Sequence, residues 1–506
     1  MDVVNDSRKG MLVHSLLDEA VAEIPDSPAV RDKTGVWTYG ELAEFSHSVD
    51  SWLESEGIGP GDRVVTQLRT TRELVALFLG VSRRGAVLVA LNPGMKQFHL
   101  RAVLASAEPR LVVADDAVSG ALREVTDAPV HDLASCWRDV ETLRELGKRS
   151  APVQVHPDDL AALLYTSGST AAPKGVICPH AQMTFASRAL QAELGYRRGD
   201  VVFCRFPMSW DYGLYKVLLS FLGRSELVLA DGESDLSLLR RMREVGATVV
   251  PIVPSLATMI ATLAAREDAP PAPVRMFTNT GAALPPSTIA ELRAAFPGVR
   301  VVRQFGQTEC KRISVMPPEE DLERPDSVGR PLPGTRVLIL DEAGRELPAG
   351  QVGEIVVTGP HVMPGYWREP ELTARSFRRD QATGAPRLHT GDYGRLDEDG
   401  YLYFEGRRDD MFKRKGVRMS TLEIEAAAMD IDGVRVAGAV PPGESRDLTV
   451  CVETDLAPHV VLRELAKRLE PAKVPAVCHA VAEFPLTAHG KNASAELVRL
   501  LEGAGL

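Results

Sequence analysis

The segment Tyr165-Thr-Ser-Gly-Ser-Thr-Ala-Ala-Pro-Lys-Gly175 directly follows a short apolar run at residues 160–164. The run has the composition of a buried strand, and the glycine and hydroxyl residues after it predict a tight, exposed turn. Such a turn offers backbone N–H groups, hydroxyl donors and one mobile ammonium, which suits a polyphosphate. It is not a Walker A loop, because Lys174 has proline before it and glycine after it. A plain surface loop is the alternative, and it leaves the lysine without a role.

The composition is that of a globular enzyme with more than one structural unit. The chain has 506 residues, of which 44% are hydrophobic and 25% charged. Its 58 Lys and Arg against 69 Asp and Glu give a net charge of −11, which argues against nucleic-acid binding. The six scattered cysteines contain no C-x-x-C pair, so we expect neither a disulfide framework nor a zinc cluster. With no apparent signal peptide or membrane-length apolar run, we expect a cytoplasmic protein without a membrane partner.

Strand-like and helical patterns alternate along much of the chain. Residues 39–56 and 72–83 have helical spacing with a strand-like run between them, and the same rhythm returns after residue 200. This predicts an α/β fold with parallel sheets covered on both faces. After about residue 330, short strands separated by Gly and Pro predict a small antiparallel β unit. The remainder mixes helices and strands, as a small α+β domain does.

From this pattern we predict a large N-terminal domain at residues 1–405, made of two parallel α/β subdomains and the antiparallel unit. A hinge is expected at residues 406–409, and a small mobile α+β domain at residues 410–506.

Four further segments place polar or charged residues beside glycine. They are Phe277-Thr-Asn-Thr-Gly-Ala-Ala283, Gln304-Phe-Gly-Gln-Thr-Glu309, His389-Thr-Gly-Asp-Tyr-Gly394 and Pro485-Leu-Thr-Ala-His-Gly-Lys491. In this order, and together with the first loop, they resemble the acyl-adenylate-forming (AMP-binding) superfamily, which contains acyl-CoA synthetases, peptide-synthetase adenylation domains and luciferases. The usual loop of that family has glycine where this chain has Ala171. The resemblance implies an AMP-forming acid–thiol ligase that uses ATP and Mg²⁺.

The resemblance also implies which residues bind the nucleotide. The β- and γ-phosphates would be held by Thr166, Ser167, Gly168, Ser169, Thr170 and Lys174. Phe305 would stack on the adenine, and Gly306 and Gln307 follow it in the same motif. The turn Gly281-Ala282-Ala283 would lie on the adenine side of the site. Thr308 would bind the α-phosphate and Glu309 would ligate Mg²⁺ as a hard oxygen donor. Taken alone, a Phe-Gly pair is more often a piece of ordinary core packing.

The ribose and the mobile domain have their own motifs. Asp392 would accept hydrogen bonds from both ribose hydroxyls, supported by Arg407, although an isolated Thr-Gly-Asp is commonly only a turn. Lys491 would bridge carboxylate and phosphate as negative charge develops; a solvated lysine is the alternative. In the segment from 406 to 416, Asp409 would be the pivot of a domain rotation and Gly416 would line a thiol tunnel. A charged surface linker is the alternative interpretation of that segment.

The substrate class depends on the segment Phe206-Pro-Met-Ser-Trp-Asp-Tyr-Gly-Leu-Tyr-Lys216. Many acyl-CoA ligases have histidine where Trp210 stands, whereas members that activate amino acids have Phe-Asp. We therefore predict that Asp211 binds an amino group of the substrate, since a buried carboxylate requires a cation. The alternative is that Asp211 caps the helix that begins after it. The other pocket residues implied by the resemblance are Trp210, Tyr215, Thr280 and Arg312, of which Arg312 would favour an extra acidic or polar group.

The predicted function is ATP-dependent activation of a carboxylic acid, preferably an amino acid, as acyl-AMP. The acyl group would then pass to the phosphopantetheine thiol of a carrier protein. Little sequence follows Lys491, so we expect that carrier to be separate. The alternative is an acyl- or aryl-CoA ligase that uses free CoA. A non-catalytic binding member is disfavoured because Lys174, Glu309 and Asp392 are present as well as Lys491.

Overall fold

The computed structural model of the protein describes the chain in segments. These are residues 10–95, 97–166, 173–230, 232–267, 269–380, 384–407, 411–414, 417–443, 446–469, 471, 473–481, 484 and 494–503. The strands up to residue 407 are β1 (Pro28–Arg31), β2 (Val36–Thr38), β3 (Arg63–Gln67), β4 (Val87–Ala90), β5 (Leu111–Ala114), β6 (Val130–Asp132), β7 (Leu160–Thr166), β8 (Lys174–Pro179), β9 (Val201–Cys204), β10 (Glu226–Leu229), β11 (Val249–Ile252), β12 (Met276–Asn279), β13 (Arg300–Phe305), β14 (Ser314–Val315), β15 (Ser327–Pro331), β16 (Arg336–Leu340), β17 (Gly353–Thr358), β18 (Phe377–Arg379), β19 (Pro386–Leu396) and β20 (Leu402–Arg407).

Helices alternate with these strands. They are α1 (Val13–Glu23), α2 (Tyr39–Ser55), α3 (Arg72–Arg83), α4 (Gln97–Ala107), α5 (Asp116–Arg123), α6 (Leu133–Glu145), α7 (His180–Leu194), α8 (Asp211–Gly223), α9 (Leu238–Val245), α10 (Pro254–Ala264), α11 (Pro286–Ala295) and α12 (Pro370–Ser376), with a 3₁₀ turn at Asp235–Ser237. Local chemistry sets their ends. At the start of α2, the Thr38 hydroxyl accepts from the Glu41 N–H at 3.2 Å, and the Glu41 carboxylate accepts from the Thr38 N–H at 2.8 Å. This reciprocal pair is a capping box, and it satisfies backbone donors that the first helical turn leaves open.

One sheet has six strands in the order β6-β5-β3-β4-β7-β8. All neighbouring strands in it are parallel except β7 and β8, which form an antiparallel hairpin. Strands β4 and β5 are buried along their whole length, as expected of a parallel sheet with both faces covered. The hairpin brackets the predicted phosphate-binding loop.

The second sheet is a continuous path of hydrogen-bonded strands. Its order is β2-β1-β10-β9-β11-β12-β13-β14-β15-β20-β19-β17-β16, with β18 paired to β19. Along the path β1-β10-β9-β11-β12-β13, neighbouring strands are parallel, whereas β2 is antiparallel to β1 and every pair from β13–β14 onward is antiparallel. The predicted antiparallel unit is therefore present, but it is hydrogen-bonded to the parallel strands at β13–β14 instead of standing apart from them.

The C-terminal part has smaller sheets and a core of its own. Its elements are β21 (Met411–Arg414), β22 (Val417–Ser420), α13 (Thr421–Met429), β23 (Val434–Val440), β24 (Thr449–Thr454), α14 (Pro458–Arg468), β25 (Val477–Val481) and α15 (Ser494–Gly503). Strands β23, β24 and β25 form a three-stranded sheet, and β21 pairs with β22. Ile424, Val450 and Leu465 are fully buried in the cluster between this sheet and its helices. The predicted mixture of α and β structure is confirmed. None of the helices in the described segments combines the length and apolar character needed to cross a lipid bilayer.

The topology decides where the motifs meet. Strands β9, β11, β12 and β13 are neighbours in that order and run parallel, so their carboxyl ends lie at one edge of the sheet. The segments that follow β9, β12 and β13 begin at that edge, and they carry Asp211, Thr280 and Thr308. Ligands of open α/β sheets commonly bind there.

Candidate active site

The strands that flank the predicted phosphate-binding loop place Thr166 and Lys174 opposite each other. The two residues are partners in the β7–β8 register. The Lys174 Nζ lies 5.0 Å from the centroid of the Tyr366 ring. Ser167, Gly168, Ser169 and Thr170 lie outside the described residues, so their predicted role stays a prediction.

Glu309 is held by a tyrosine that the sequence did not single out. The Tyr366 hydroxyl donates to Glu309 Oε1 at 2.7 Å, and the Met363 N–H donates to the Glu309 carbonyl oxygen at 3.0 Å. Glu309 is 8% exposed. Burial and the neighbouring Glu309 carboxylate raise the pKa of the Tyr366 phenol far above its ordinary range, so this hydroxyl stays protonated and donates.

These groups fit the predicted Mg²⁺ ion. No hydrogen-bond donor from the described segments contacts Glu309 Oε2, which leaves one hard oxygen of an anchored carboxylate for a cation. The described residues contain no group of three or more His, Cys, Asp and Glu that could hold a metal. A single carboxylate suits Mg²⁺, which is commonly bound by one or two carboxylates together with substrate phosphates and water.

The motif from Phe305 to Glu309 forms a tight loop after β13. The Ile313 N–H donates back to the Phe305 carbonyl oxygen at 2.8 Å. A Cβ at Gly306 would lie 2.6 Å from Arg312 Cα, so only glycine fits there. The Phe305 ring is half-buried, 5.1 Å from the Phe404 ring and tilted to it by 38°. Gln307 and Thr308 lie in the same loop, where their carbonyl oxygens accept from the Cys310 and Lys311 N–H groups.

The adenine-side turn follows the neighbouring strand β12. Gly281 has a φ of +90°, a conformation that suits glycine. The Asn279 side-chain amide donates to the Ala282 carbonyl oxygen at 3.0 Å, which fixes the turn that Ala283 completes. Thr280 is 7% exposed at the start of this turn. The turn and the Phe305 loop thus follow neighbouring parallel strands and lie beside each other at the carboxyl edge.

Asp392 and Arg407, the predicted ribose pair, lie opposite each other on β19 and β20. The Arg407 Nε lies 3.3 Å from Asp392 Oδ1; the arginine side chain is 61% exposed and the aspartate side chain 6%. The Asp392 N–H donates to the Thr390 hydroxyl at 3.0 Å, and that hydroxyl donates to the Ile355 carbonyl oxygen at 2.6 Å. The aspartate is therefore fixed by the strand, whereas the arginine extends from the surface.

Asp211, the predicted amine-binding residue, contacts two cations. Its Oδ2 lies 2.9 Å from Lys311 Nζ and 3.9 Å from Arg312 Nη1. Lys311 Nζ also donates to the Asp211 carbonyl oxygen at 2.9 Å. Helix α8 begins at Asp211 itself, and Trp210 occupies the N-cap position. The aspartate is thus the first residue of the helix and not the N-cap that the capping interpretation requires, and its side chain pairs with Lys311.

Desolvation and charge pairing compete in this pocket. Burial disfavours the charged form of Asp211, yet Lys311 and Arg312 outweigh it and lower the pKa of its carboxyl. Burial lowers the pKa of Lys311 to about 7, with Asp211 opposing that shift and Arg312 adding to it. Such close competition between desolvation and pairing is typical of functional sites.

Arg312 has a donor to spare. Its Nε donates to Gln304 Oε1 at 3.0 Å and its Nη1 to the Lys311 carbonyl oxygen at 2.7 Å. Its Nη2 is buried and has no hydrogen-bond partner in the described parts of the chain. A buried guanidinium N–H without a partner is costly, so this position favours an acceptor supplied by a ligand.

Aromatic side chains from α8 enclose the charged groups. The Lys311 Nζ lies 4.3 Å from the Tyr215 ring centroid, and the Arg312 guanidinium lies 5.3 Å from that of Tyr212. The Tyr212 hydroxyl donates to the Thr278 carbonyl oxygen. Behind them, Lys216 is buried with its Nζ 3.3 Å from the Tyr196 hydroxyl, and burial lowers its pKa well below the ordinary value.

The structure therefore brings together most of the predicted residues and adds others. Lys311, Lys216 and Tyr366 were missed. Lys311 directly precedes the predicted Arg312, but it adopts a φ of +62°, a left-handed turn that a lysine does not signal in sequence. Asp409, Gly416 and Lys491 lie outside the described residues, so their roles stay predictions.

Comparisons with known proteins identify the family. The family described as AMP-binding enzyme matches residues 17–367. The probable nonribosomal peptide synthetase CymA of Salinispora arenicola is 31% identical over 94% of this chain, which spans 6% of CymA. The sulfoacetate–CoA ligase of Cupriavidus necator is 30% identical over 92% of this chain and 90% of that ligase. The chain spans 6% to 14% of the length of its first three curated relatives.

Solved structures agree with this match. VinN in complex with L-aspartate is 55% identical, with a TM-score of 0.73 over 78% of this chain and 98% of VinN. VinN in complex with 3-methylaspartate is 52% identical over the same shares, with a TM-score of 0.68. ATP-bound MatB from Rhodopseudomonas palustris is 27% identical, with a TM-score of 0.85 over 97% of this chain and 99% of MatB. The predicted α/β fold is confirmed. The chain belongs to the AMP-binding enzymes.

Proposed function

We propose that this protein adenylates an amino acid that carries a second carboxylate, and then transfers the acyl group to the phosphopantetheine thiol of a separate carrier protein. The observation that carries the proposal is the contact of one partly exposed carboxylate, that of Asp211, with two buried cations, Lys311 and Arg312.

The charges of this pocket favour a ligand with one positive and two negative groups. Asp211 contributes one negative charge against the positive charges of Lys311 and Arg312, and the Arg312 Nη2 has no acceptor in the described segments. Buried charges destabilise a protein unless they are paired. A substrate ammonium placed at Asp211 would release Lys311, and a second carboxylate would then accept from Lys311 Nζ and Arg312 Nη2.

The solved relatives support this ligand class. VinN has been crystallised with L-aspartate and with 3-methylaspartate. Both molecules have one ammonium and two carboxylates, which is the charge pattern that the Asp211 pocket favours. At 52% to 55% identity, such a ligand is a reasonable first substrate to test here.

The remaining site residues supply the adenylation step. Asp392 and Arg407 would hold the ribose. Phe305 and the turn at Gly281 would hold the adenine. Thr308 would bind the α-phosphate. Lys174 and the loop before it would bind the departing pyrophosphate. A carboxylate oxygen of the substrate forms a bond to the α-phosphorus, and the bond between that phosphorus and the pyrophosphate oxygen breaks. Mg²⁺, ligated by Glu309, would neutralise phosphate charge.

Transfer uses residues of the C-terminal part. Lys491 would stabilise the adenylation transition state, and a rotation at Asp409 would then replace it with the tunnel at Gly416. The thiol sulfur forms a bond to the carbonyl carbon, its proton is lost, and the bond to AMP breaks.

An exchange panel tests the substrate assignment. Exchange of labelled pyrophosphate into ATP is measured with L-aspartate, with succinate, which lacks the amine, and with L-alanine, which lacks the second carboxylate. A fatty acid and an aromatic acid serve as further controls. We expect L-aspartate to exceed each of the others by about tenfold or more. L-alanine would leave the displaced Lys311 without an anion, and succinate would leave Lys311 on Asp211, so that its second carboxylate gains only Arg312 as a cationic partner. Stronger exchange with the fatty or aromatic acid would contradict the proposal.

A specific observation favours one alternative for the acceptor. The sulfoacetate–CoA ligase spans nearly the same length as this chain, and its name specifies CoA. Mass spectrometry of the products formed with a phosphopantetheinylated carrier protein or with CoA would decide between the two thiols. Thioester on CoA alone would favour the ligase alternative.

A further inference from the structure

The segment Gly365-Tyr366-Trp367 lies against the strand that leaves the phosphate-binding loop. Tyr366 forms an isolated antiparallel bridge with Val176 of β8. The Ile177 N–H donates to the Gly365 carbonyl oxygen at 3.0 Å, and the Trp367 N–H donates to the Gly175 carbonyl oxygen at 2.7 Å. This segment thus extends the β7–β8 hairpin by a short third strand, one residue from Lys174.

The Tyr366 ring is fixed from several sides. Its backbone N–H donates to the Thr373 hydroxyl at 2.9 Å, and the Phe377 ring packs edge-on at 5.3 Å and 73°. Gly365 has a φ of +151°, and a Cβ there would lie 2.4 Å from Thr373 Cγ2, so the turn before the tyrosine tolerates only glycine. Tyr366 itself is 5% exposed.

Two groups assigned to different parts of the nucleotide meet at this tyrosine. Its ring faces the Lys174 Nζ at 5.0 Å, a cation–π distance, and its hydroxyl donates to Glu309 Oε1 at 2.7 Å. Lys174 belongs to the phosphate-binding hairpin, whereas Glu309 belongs to the loop after β13. Tyr366 thus contacts both of these elements at the predicted phosphate and metal positions.

We propose that Tyr366 is a positioning residue for the Mg²⁺–phosphate site. Its hydroxyl holds Oε1 of Glu309, so that Oε2 is presented to the cation, and its ring holds the ammonium of Lys174 beside the phosphates. This inference rests on the proposed function, because it takes the metal role of Glu309 and the phosphate role of Lys174 from that assignment.

The hydroxyl and the ring are separable by mutation. Tyr366→Phe removes the hydrogen bond to Glu309 and keeps the ring under Lys174. A charge-assisted hydrogen bond is worth about tenfold in an equilibrium, and often more. We therefore expect Tyr366→Phe to raise the Mg²⁺ concentration needed for half-maximal ATP binding by about tenfold, with little change in ATP affinity at saturating Mg²⁺.

The experiment measures ATP binding by calorimetry across a Mg²⁺ series, in the absence of any acid substrate. The variants are Tyr366→Phe, Glu309→Gln and the double variant. If Tyr366 acts through Glu309, its substitution has little further effect once Glu309 is replaced, and the two effects are non-additive. Tyr39→Phe is the matched control, since the buried Tyr39 hydroxyl donates to the Ser220 and Ser225 carbonyl oxygens at 3.0 and 2.8 Å, and neither serine is among the residues predicted to bind the nucleotide or Mg²⁺.

The outcomes distinguish this inference from the proposed function. Additive effects of the two substitutions, or an unchanged Mg²⁺ requirement in Tyr366→Phe, would overturn the proposed role of Tyr366. If the wild-type protein still shows acid-dependent pyrophosphate exchange, the proposed function would stand in that case. Absence of exchange with every acid in the panel would overturn the proposed function. Thermal unfolding of Tyr366→Phe beside Tyr39→Phe checks that both proteins are folded, and the cycle in the Glu309→Gln background compares proteins that differ only by the hydroxyl.

Discussion

The Nζ of Lys311 lies 2.9 Å from Oδ2 of Asp211 and 2.9 Å from its carbonyl oxygen, at the first turn of α8. An internal lysine therefore occupies the position that was predicted for a substrate ammonium. Under the proposed function, substrate selection would be an exchange of partners: a substrate amine would displace Lys311 from Asp211, and the displaced lysine would then need a new anion. An amino acid with a second carboxylate satisfies both requirements, and one without it leaves a buried cation unpaired.

Replacing Lys311 should change which amino acids are accepted. We expect Lys311→Met to raise the KM for L-aspartate by about tenfold to a hundredfold, because a charged donor to the second carboxylate is lost. The KM for L-alanine should fall or stay unchanged, because Asp211 no longer has to be released. Exchange kinetics with both substrates measure this; equal changes for the two would contradict the exchange of partners.

The binding of L-aspartate should weaken as the pH rises above neutrality. Burial lowers the pKa of Lys311 to about 7, so its positive charge, which the second carboxylate requires, is present below that pH and lost above it. A group whose pKa is lowered on folding binds fewer protons in the folded state than in the unfolded one, so the free energy of unfolding should rise with pH between about 7 and the ordinary lysine pKa. KM profiles of wild type and Lys311→Met measure the first effect, and denaturation at several pH values measures the second. A profile that keeps the same slope in Lys311→Met would assign it to another group.

Asp211→Asn should reverse the preference between an amine-containing and an amine-free diacid. Without the carboxylate, the substrate ammonium loses its partner, while Lys311 and Arg312 become available to anions. We expect the ratio of kcat/KM for L-aspartate to that for succinate to fall by about a hundredfold. If Asp211 served only the helix terminus, both substrates would lose activity in parallel with the loss of stability.

Much of the fold, and the placement of several candidate nucleotide-binding residues near one another, was predictable because local patterns carry it. Helix α3 covers residues 72–83 as its spacing predicted, and Asp392 pairs with Arg407 across adjacent strands. The substrate pocket was harder to predict from the sequence. Its central contact joins residues that are a hundred positions apart, and it depends on a left-handed backbone turn at Lys311 that no residue type there announces.

The sequence also did not predict that the parallel and antiparallel strands belong to one hydrogen-bonded sheet. Short β14 has only Ser314 and Val315, too little for a periodicity, and yet it links the parallel strands to the antiparallel ones. Tyr366 was missed for a related reason: its contact with Glu309 comes from a loop that packs on β8, and packing between distant segments leaves no local pattern.

Substitutions of the two predicted ribose-binding residues, the buried acceptor Asp392 and the exposed cation Arg407, should change the KM for ATP by different amounts. We expect Asp392→Asn to raise the KM for ATP by about tenfold or more, because an ionised acceptor is replaced by one that also carries donors. Arg407→Ala should change it by less than about threefold, since its 61% exposed side chain makes a weak, solvent-screened contact. The KM for the acid should be unaffected in both variants. A larger effect of Arg407→Ala would show that the arginine binds the nucleotide directly.

Gly306 should couple the two halves of the site, because the loop it belongs to carries Glu309 toward the nucleotide and Arg312 toward the substrate pocket. A Cβ at Gly306 would lie 2.6 Å from Arg312 Cα and 2.9 Å from the Lys311 carbonyl oxygen, and these are backbone atoms that cannot rotate away. We expect Gly306→Ala to lower the free energy of unfolding by about 1–3 kcal/mol and to raise the KM values for ATP and for the acid together.

Gly120→Ala is the matched control, since Gly120 lies in α5 and a Cβ there would meet nothing within 4 Å. This substitution should be neutral or stabilise the helix by up to about 1 kcal/mol. Thermal and denaturant unfolding with exchange kinetics measure both. A Gly306→Ala variant that loses stability but keeps both KM values would mean that the loop can move without moving Glu309 and Arg312, and the coupling would then be absent.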